Sequence, residues 1–185
     1  MDMHLHTMAS ADWKEPGVGW LDWLYRCEQR GLDIVAITDH NIYVDPSTVD
    51  SHGLLLIPGE ELSLTPEEDQ TIPIHVNGFG LKRTVPVERG LTRLETIQNC
   101  IDGIVAEGGI AQINHPNFYW AFDHTVIEQT RDCFLLEVHN AHPWVFNEGG
   151  DGHVSIEFMW DYLLSKGKLI YGTGVDDCHT YTVLD

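Results

Sequence analysis

The chain has 185 residues, 43% of them hydrophobic, so it is long enough for one domain with a real core and too apolar for a disordered segment. Asp and Glu outnumber Lys and Arg by 29 to 10, which gives a formal net charge of -19. A surface this acidic repels phosphate backbones and anionic lipid head groups, so we expect neither a nucleic acid nor a membrane as a partner.

The predicted elements alternate between short apolar strands and amphipathic helices. In chain order they are a strand at residues 2–6, a helix at 19–30, strands at 33–38, 54–58 and 72–79, a helix at 91–107, strands at 109–113 and 133–139, a helix at 155–166 and a strand at 168–174. The strands at 33–38 and 54–58 are continuous apolar runs, which are typical of strands covered on both faces of a parallel sheet.

This alternation predicts a parallel α/β fold and favours a barrel. A barrel of eight strand–helix units usually needs about 250 residues, which is more than this chain has. We therefore expect fewer units, a distorted barrel, or a barrel that lacks a C-terminal element.

Histidines and carboxylates lie in or directly after nearly every predicted strand. The residues concerned are His4, His6, His40, Glu61, His75, His115, Glu137, His139, Asp177 and His179. Side chains two residues apart on a strand point to the same side, so His4 and His6 can bind one ion together. Because the C-terminal ends of the strands of a parallel barrel converge, we expect these distant residues to meet at one site.

Imidazole and carboxylate ligands together suit Zn, Mn or Fe. The cations would offset the repulsion between clustered carboxylates, and they would lower the pKa of a bound water enough to supply hydroxide near neutral pH. The pattern therefore predicts a metal-dependent hydrolase that acts on a small molecule.

The four cysteines, Cys27, Cys100, Cys133 and Cys178, show no paired spacing, so we expect reduced thiols. No apolar run reaches the length of a membrane span, and no charged-then-apolar leader precedes the first motif. These features favour a cytoplasmic location.

The motifs resemble those of the PHP superfamily, named after polymerase and histidinol phosphatase domains. They read D-x-H-x-H-T at residues 2–7, T-D-H-N at 38–41, G-x-E at 59–61, N-H-P at 114–116 and D-x-H at 177–179. Residues 160–164 and 176–179 are similar to a branch that includes carbaryl-hydrolase-like proteins. The resemblance implies a single domain over residues 1–185, folded as a distorted (β/α)7 TIM-like barrel.

The resemblance also implies two or three divalent ions, and its motifs assign their ligands. The first ion would be bound by His4, His6, Glu61 and Asp177, the second by Glu61, His75 and His115, and the third by His40 and His179. The family often places an aspartate five residues after the second histidine, where this chain has Ala11. Either the neighbouring Asp12 binds the third ion, which we favour, or that site is weak or empty.

The resemblance and the motif pattern together give candidate roles to the remaining polar residues. Glu61, Asp177 and His179 are the candidate catalytic residues. We expect Asp39 to orient His40 or a neighbouring ligand, Asp2 to orient a histidine, and Glu137 and His139 to border the site from one strand face. His142 and His153 lie in or near a glycine-rich stretch, where solvated loop positions are favoured over substrate contacts.

Three functions stay open. The leading one is hydrolysis of a small, anionic phosphoester by a metal-bridged hydroxide. In the second, the same hydroxide attacks the carbonyl carbon of a carbamate, ester or amide. The third is a non-catalytic, metal-binding accessory domain. Phosphate pockets usually contain Arg or Lys. The only such residues that can be placed near strand-end loops are Lys14, Lys82, Arg83 and Arg131, and this scarcity weakens the case for phosphoester hydrolysis.

Overall fold

A computed structural model of the chain describes residues 1–180. Seven strands form one sheet in sequence order: β1 Asp2–Leu5, β2 Ile34–Ile37, β3 Leu55–Leu64, β4 Ile74–Phe79, β5 Ile110–Ile113, β6 Leu135–Asn140 and β7 Tyr171–Val175. The helices are α1 Trp20–Gln29, α2 Arg93–Ala106, α3 His124–Ile127 and α4 Ile156–Ser165, with 3-10 turns at Pro46–Thr48 and Phe118–Trp120. The predicted single-domain α/β barrel is confirmed.

The segment that follows β7 returns to β1 and nearly closes the barrel. Leu5 pairs with Cys178 in a parallel bridge, and the backbone N–H of His6 donates to the Cys178 carbonyl at 3.2 Å. One residue earlier, the Asp177 N–H donates to the His4 carbonyl at 2.9 Å. The first and last motifs of the sequence are therefore hydrogen-bonded neighbours.

The expectation of an all-parallel sheet is wrong at β4. This strand is antiparallel to both β3 and β5, and every other neighbouring pair is parallel. Only residues 65–73 connect β3 to β4, and a parallel crossover needs a dozen residues or more. The chain therefore turns back on itself, which places the start of β4, with His75, opposite Ser63 near the end of β3.

β3 is twice as long as predicted. Its predicted end at residue 58 is followed by Gly59, Glu60 and Glu61, which are residue types that strands usually avoid. The strand continues to Leu64 because its second half pairs with β4. The alternation turns Glu61 toward the barrel rim and Glu60 to the other face, where its carboxylate accepts from the Val85 N–H at 2.9 Å.

The three predicted helices begin and end within about two residues of their predicted limits. Thr92 and Ser155 cap α2 and α4 with their side chains. The four-residue α3, capped by Asp123, was not predicted, because so short a helix shows no helical period in the sequence.

The core has two parts. The larger lies between the sheet and α2, α3 and α4, and includes Ile97, Ile104 and Leu136. The smaller packs Trp23 and Leu24 of α1 against β1 and β2. All four cysteines are free thiols, as expected. Within residues 1–180, no helix combines the length and the apolar character that a membrane crossing requires.

Gly59 gives a test of how tightly β3 fits between its neighbours. A Cβ at this position would lie 2.8 Å from the Gly78 carbonyl oxygen and 3.0 Å from that of Ile37. Because both are backbone atoms, Gly59→Ala should lower the free energy of unfolding by about 2 kcal/mol in urea denaturation. The matched control is Gly174→Ala in β7, where a Cβ meets nothing within 4 Å. Equal losses in the two variants would contradict this packing.

Candidate metal centre

A buried carboxylate, Glu61, lies at the point where five imidazole rings meet. Its oxygens approach His40 Nδ1 at 2.8 Å, His75 Nδ1 at 3.1 Å, His6 Nε2 at 3.3 Å, and the Nε2 atoms of His4 and His115 at 3.4 Å each. Asp177 completes the cluster, with Oδ1 at 3.1 Å from His6 Nε2 and 3.2 Å from His4 Nε2. The structure thus brings together residues that are up to 173 positions apart in the sequence.

The barrel explains why these side chains converge. His4 and His6 alternate with Leu5 at the end of β1, and His40 and His115 follow β2 and β5. His75 reaches the same rim because β4 runs in the opposite direction. Asp177 follows β7 with a backbone φ of 50°, a left-handed conformation that aspartate tolerates better than most residues.

The nitrogen and oxygen atoms fall into four overlapping groups, and within each group all atoms lie within 4.8 Å of one another. The groups are His4, His6 and Asp177; His4, Glu61 and His115; His40, Glu61 and His75; and His6, Asp12, His40 and His179. His75 therefore groups with His40, whereas the sequence motifs assign it to one ion with His115. Both rings still face Glu61 Oε1.

Asp12 lies beside the two histidines that the sequence motifs assign to the third ion. Its Oδ2 lies 2.9 Å from His179 Nε2 and 3.4 Å from His40 Nε2. The Ser10 hydroxyl donates to the other oxygen, Oδ1, at 2.8 Å and so fixes the carboxylate. Ala11 is exposed. The geometry favours the first of the two alternatives for the third ion.

The arrangement fits divalent ions better than a hydrogen-bonded network. Among residues 1–180, the buried atoms Glu61 Oε2 and His75 Nδ1 have no hydrogen-bond partner, although imidazole or carboxylate atoms lie about 3 Å away. His4 Nε2 and His6 Nε2 face each other at 3.2 Å. Zinc–nitrogen distances of about 2.0–2.1 Å place tetrahedral ligands roughly 3.3 Å apart, so atoms at such spacings suit a shared cation.

Charge compensation sets the protonation of the ion-free cluster. Burial alone would lower the pKa of His40, but the nearby carboxylates of Glu61 and Asp12 outweigh it and raise that pKa to about 10. The pKa values of His4, His6 and His115 are raised for the same reason. In return, these rings outweigh the burial of Glu61 and Asp177 and lower both carboxyl pKa values.

Glu137 is a second buried carboxylate directly behind the cluster. It accepts four hydrogen bonds: from His4 Nδ1 at 2.6 Å, Gln112 Nε2 at 3.0 Å, Asn140 Nδ2 at 3.0 Å and the His115 N–H at 3.1 Å. Because His4 Nδ1 donates to Glu137, the lone pair of Nε2 in the neutral ring points into the cluster. Glu137 therefore sits where the sequence expects a supporting residue.

Asp2 and Asp39 contact backbone and a hydroxyl rather than imidazole rings. Asp39 accepts from the N–H and the hydroxyl of Thr7 at 2.6 and 2.7 Å. Asp2 accepts from the N–H groups of His4 and Asp176 at 3.0 and 3.2 Å. Both carboxylates hold the chain that carries the ligands, and their expected role in orienting a histidine stays a prediction.

The expectation that His139 borders the site is wrong. An irregularity in the pairing of β6 with β7, between Glu137 and His139, breaks the alternation of that strand. His139 is consequently exposed. Asn140 takes the inward position, and its Nδ2 donates both to Glu137 and to Asp177 Oδ2 at 3.0 Å each.

Sequence reasoning missed the neutral residues of the site. Asn114 Nδ2 donates to Glu61 Oε1 at 2.8 Å, and the Ser63 hydroxyl lies 2.6 Å from His40 Nδ1. Asn114 belongs to the N-H-P motif, so its position was a usable signal. Nothing in the sequence marks Ser63, Gln112 or Asn140, whose roles depend on the strand pairing.

A cavity of about 710 Å³ opens above the cluster. Its lining combines ligands with aromatic side chains: Asp12, Lys14, His40, Glu61, His75, His115, Phe118, Tyr119, Trp120, His142, Trp144, Phe146, Asp177 and His179. Of the four basic residues expected near the site, only Lys14 is part of this lining. Arg83 instead pairs with Glu107 at 2.6 Å. His142 lines the cavity, whereas His153 stacks on Trp120 at 4.3 Å.

The fold is similar to that of several solved structures. A protein from Bifidobacterium adolescentis, described as a candidate metal-dependent phosphoesterase, matches with a TM-score of 0.66 and 14% identity over 97% of this chain and 87% of its own. An amidohydrolase from Chromobacterium violaceum, solved with sulfate and without metal, matches with a TM-score of 0.63 and 16% identity over 96% and 87%.

A two-domain protein from Bacteroides vulgatus contains a predicted PHP-like metal-dependent phosphoesterase. It matches with a TM-score of 0.60 and 20% identity over 96% of this chain, which spans about half, 51%, of that protein. No family model and no curated protein matches the chain. The likeness therefore establishes the barrel fold shared with these hydrolase-like structures.

Asp12 can be tested through metal content. Asp12→Asn keeps the shape of the side chain but removes the charge that faces His40 and His179, so about one ion fewer should remain per chain after dialysis, measured by elemental analysis. Asp161→Asn, an equal change of charge on an exposed residue of α4, is the control. Identical metal content in both variants would contradict a role for Asp12 as a ligand.

The raised histidine pKa values predict that ion binding depends on pH. Rings that hold protons in the ion-free protein must lose them to bind a metal, so binding should release about one proton or more at pH 7 and weaken as the pH falls. Titration calorimetry in two buffers with different ionisation enthalpies measures this release. An apparent enthalpy that is the same in both buffers would show that the rings are already neutral.

Proposed function

We propose that the chain is a metal-dependent hydrolase whose substrate is a small, anionic phosphoester. The observation that carries the proposal is a cluster of nine histidine and carboxylate side chains, with Glu61 at its centre, at the floor of an open cavity. A purely structural metal site is closed by its protein ligands, whereas this cluster faces a cavity of about 710 Å³.

Two or three bound divalent ions, Zn, Mn or Fe, would supply Lewis acidity toward a phosphoryl oxygen and lower the pKa of a water molecule. The chain's own residues position the reacting groups. The Glu61 carboxylate lies between the imidazole rings of the cluster. Asn140 donates to Oδ2 of Asp177 and so fixes that carboxylate. The buried Glu137 keeps His4 in one tautomer.

His179 is better suited to hold an ion than to deliver a proton. Its Nδ1 donates to the Asp177 carbonyl at 3.0 Å, so in the neutral ring the Nε2 lone pair points toward Asp12. A ring that uses this lone pair for an ion has no proton to give a leaving group at that atom. We therefore assign His179 to the third ion together with Asp12 and His40.

A second candidate function is hydrolysis of a carbamate, ester or amide. Lys14 is the one Lys or Arg among the residues that line the cavity, and much of the remaining lining is aromatic. A neutral carbonyl substrate needs less cationic charge than a phosphate dianion does. The amidohydrolase among the similar structures points the same way.

A substrate panel separates these functions. The chain is loaded with Mn or Zn, its metal content is measured, and it is assayed on p-nitrophenyl phosphate, bis(p-nitrophenyl) phosphate and a naphthyl carbamate. We expect turnover of a phosphoester, and Glu61→Gln should lower it by more than about a hundredfold, since changes outside the ligand shell alone cost 10–100-fold.

His139→Ala is the matched control, because it removes an exposed histidine of β6 that does not contact the cluster. Its activity should equal that of the unaltered chain. Activity that survives Glu61→Gln would refute the site, and turnover of the carbamate alone would replace the phosphoesterase with the carbonyl hydrolase. A fully loaded chain that turns over none of the three would favour the accessory domain.

A further inference from the structure

Five aromatic residues form one side of the cavity above the metal cluster. We call Phe118, Tyr119, Trp120, Trp144 and Phe146 the aromatic wall. They come from two segments, one after β5 and one after β6, so the wall is built by two loops of the rim that carries the metal ligands.

The aromatic wall begins directly beside the ligands. The Phe118 ring centroid lies 5.3 Å from that of His115 and 5.8 Å from that of His75. A group that packs on the wall is therefore next to the substrate atoms that reach the cluster. The wall borders the reacting end of the substrate rather than a distant part of the surface.

Part of the wall is used for internal packing and part is open to the cavity. Trp120 stacks between His153 at 4.3 Å and Phe146 at 4.9 Å. In contrast, Tyr119 is 63% exposed and Trp144 is 64% exposed. Large aromatic surfaces that stay open at the mouth of a cavity mark a ligand site more often than a packing defect.

The wall is held in place before any ligand arrives. The backbones of Tyr119, Trp120 and Phe146 have φ values of 53°, 51° and 53°, which bulky side chains rarely adopt. The buried Asn117 joins the two loops, because its Nδ2 donates to the carbonyls of Phe146 and Val154 at 3.0 Å each. Such a fixed aromatic surface binds a flat apolar group at a small entropic cost.

We propose that the natural substrate carries an aryl group next to the bond that is hydrolysed, and that the aromatic wall binds this group. The inference rests on the proposed function, because it requires that the chain hydrolyses a bond of its substrate. It holds whether that bond is to phosphorus or to a carbonyl carbon. Lys14 is the single Lys or Arg of the cavity lining. Such a lining fits a substrate that is apolar apart from the group that is hydrolysed.

The experiment compares benzohydroxamate with acetohydroxamate on the Mn-loaded chain by titration calorimetry. Both share a head group that binds divalent ions and cannot be turned over, so the difference reports the aryl group alone. We expect benzohydroxamate to bind at least about tenfold more tightly, because burial of a phenyl ring removes apolar area from water. Tyr119→Ala and Trp144→Ala should each reduce this preference to about threefold or less and leave acetohydroxamate unaffected.

Tyr25→Ala is the control, since Tyr25 is a similarly exposed aromatic residue on α1 outside the cavity. It should keep the full preference. Equal binding of the two compounds, no binding of benzohydroxamate, or a preference that both wall variants retain would overturn the inference. An aryl preference in a chain that hydrolyses none of the three panel substrates would support aryl binding by the wall and refute the proposed function, so the two failures are distinguishable.

Discussion

Glu61 holds a carboxylate with almost no solvent contact among five imidazole rings, and the charge of this one group must be balanced locally. Burying an isolated carboxylate is too costly for a folded protein of ordinary stability. Without ions the balance comes from protons on the rings, which explains the raised pKa values of His4, His6 and His40. With bound ions, the same rings would serve as neutral ligands. The negative charge of Glu61 can thus be balanced either by protons on the rings or by metal ions.

The residues behind the ligands make this exchange possible without rearrangement. Glu137 is satisfied by four donors whether or not His4 carries a second proton, because His4 Nδ1 donates to it in both states. Asp39 and Asp2 are satisfied by backbone N–H groups and the Thr7 hydroxyl. Of these three carboxylates, Glu137 contacts a ligand ring, and such a contact keeps the other ring nitrogen of His4 aimed at a metal position.

Most titratable residues of the site were predictable from sequence, and most of the neutral ones were not, Asn114 in the N-H-P motif being the exception. His4, His6 and His115 follow apolar strands, so strand order alone brings them to one rim. Asn140 depends on an irregularity in the pairing of β6, which no periodicity reveals and which sends His139 to solvent. The reversed β4 was also hidden, because the predicted strands at 54–58 and 72–79 leave residues 59–71 between them, which is enough for a parallel crossover; the longer β3 of the structure shortens this connection to residues 65–73.

The number of bound ions and the charge of the substrate are linked. Four carboxylates, Asp12, Glu61, Glu137 and Asp177, surround the neutral rings of a loaded site. Two divalent ions would cancel them and leave a site suited to a neutral carbonyl group. A third ion at Asp12, His40 and His179 would add two positive charges, which is what a phosphate dianion needs in a cavity lined by one lysine. On this charge balance, an ion at the Asp12 site would favour phosphoester over carbonyl chemistry.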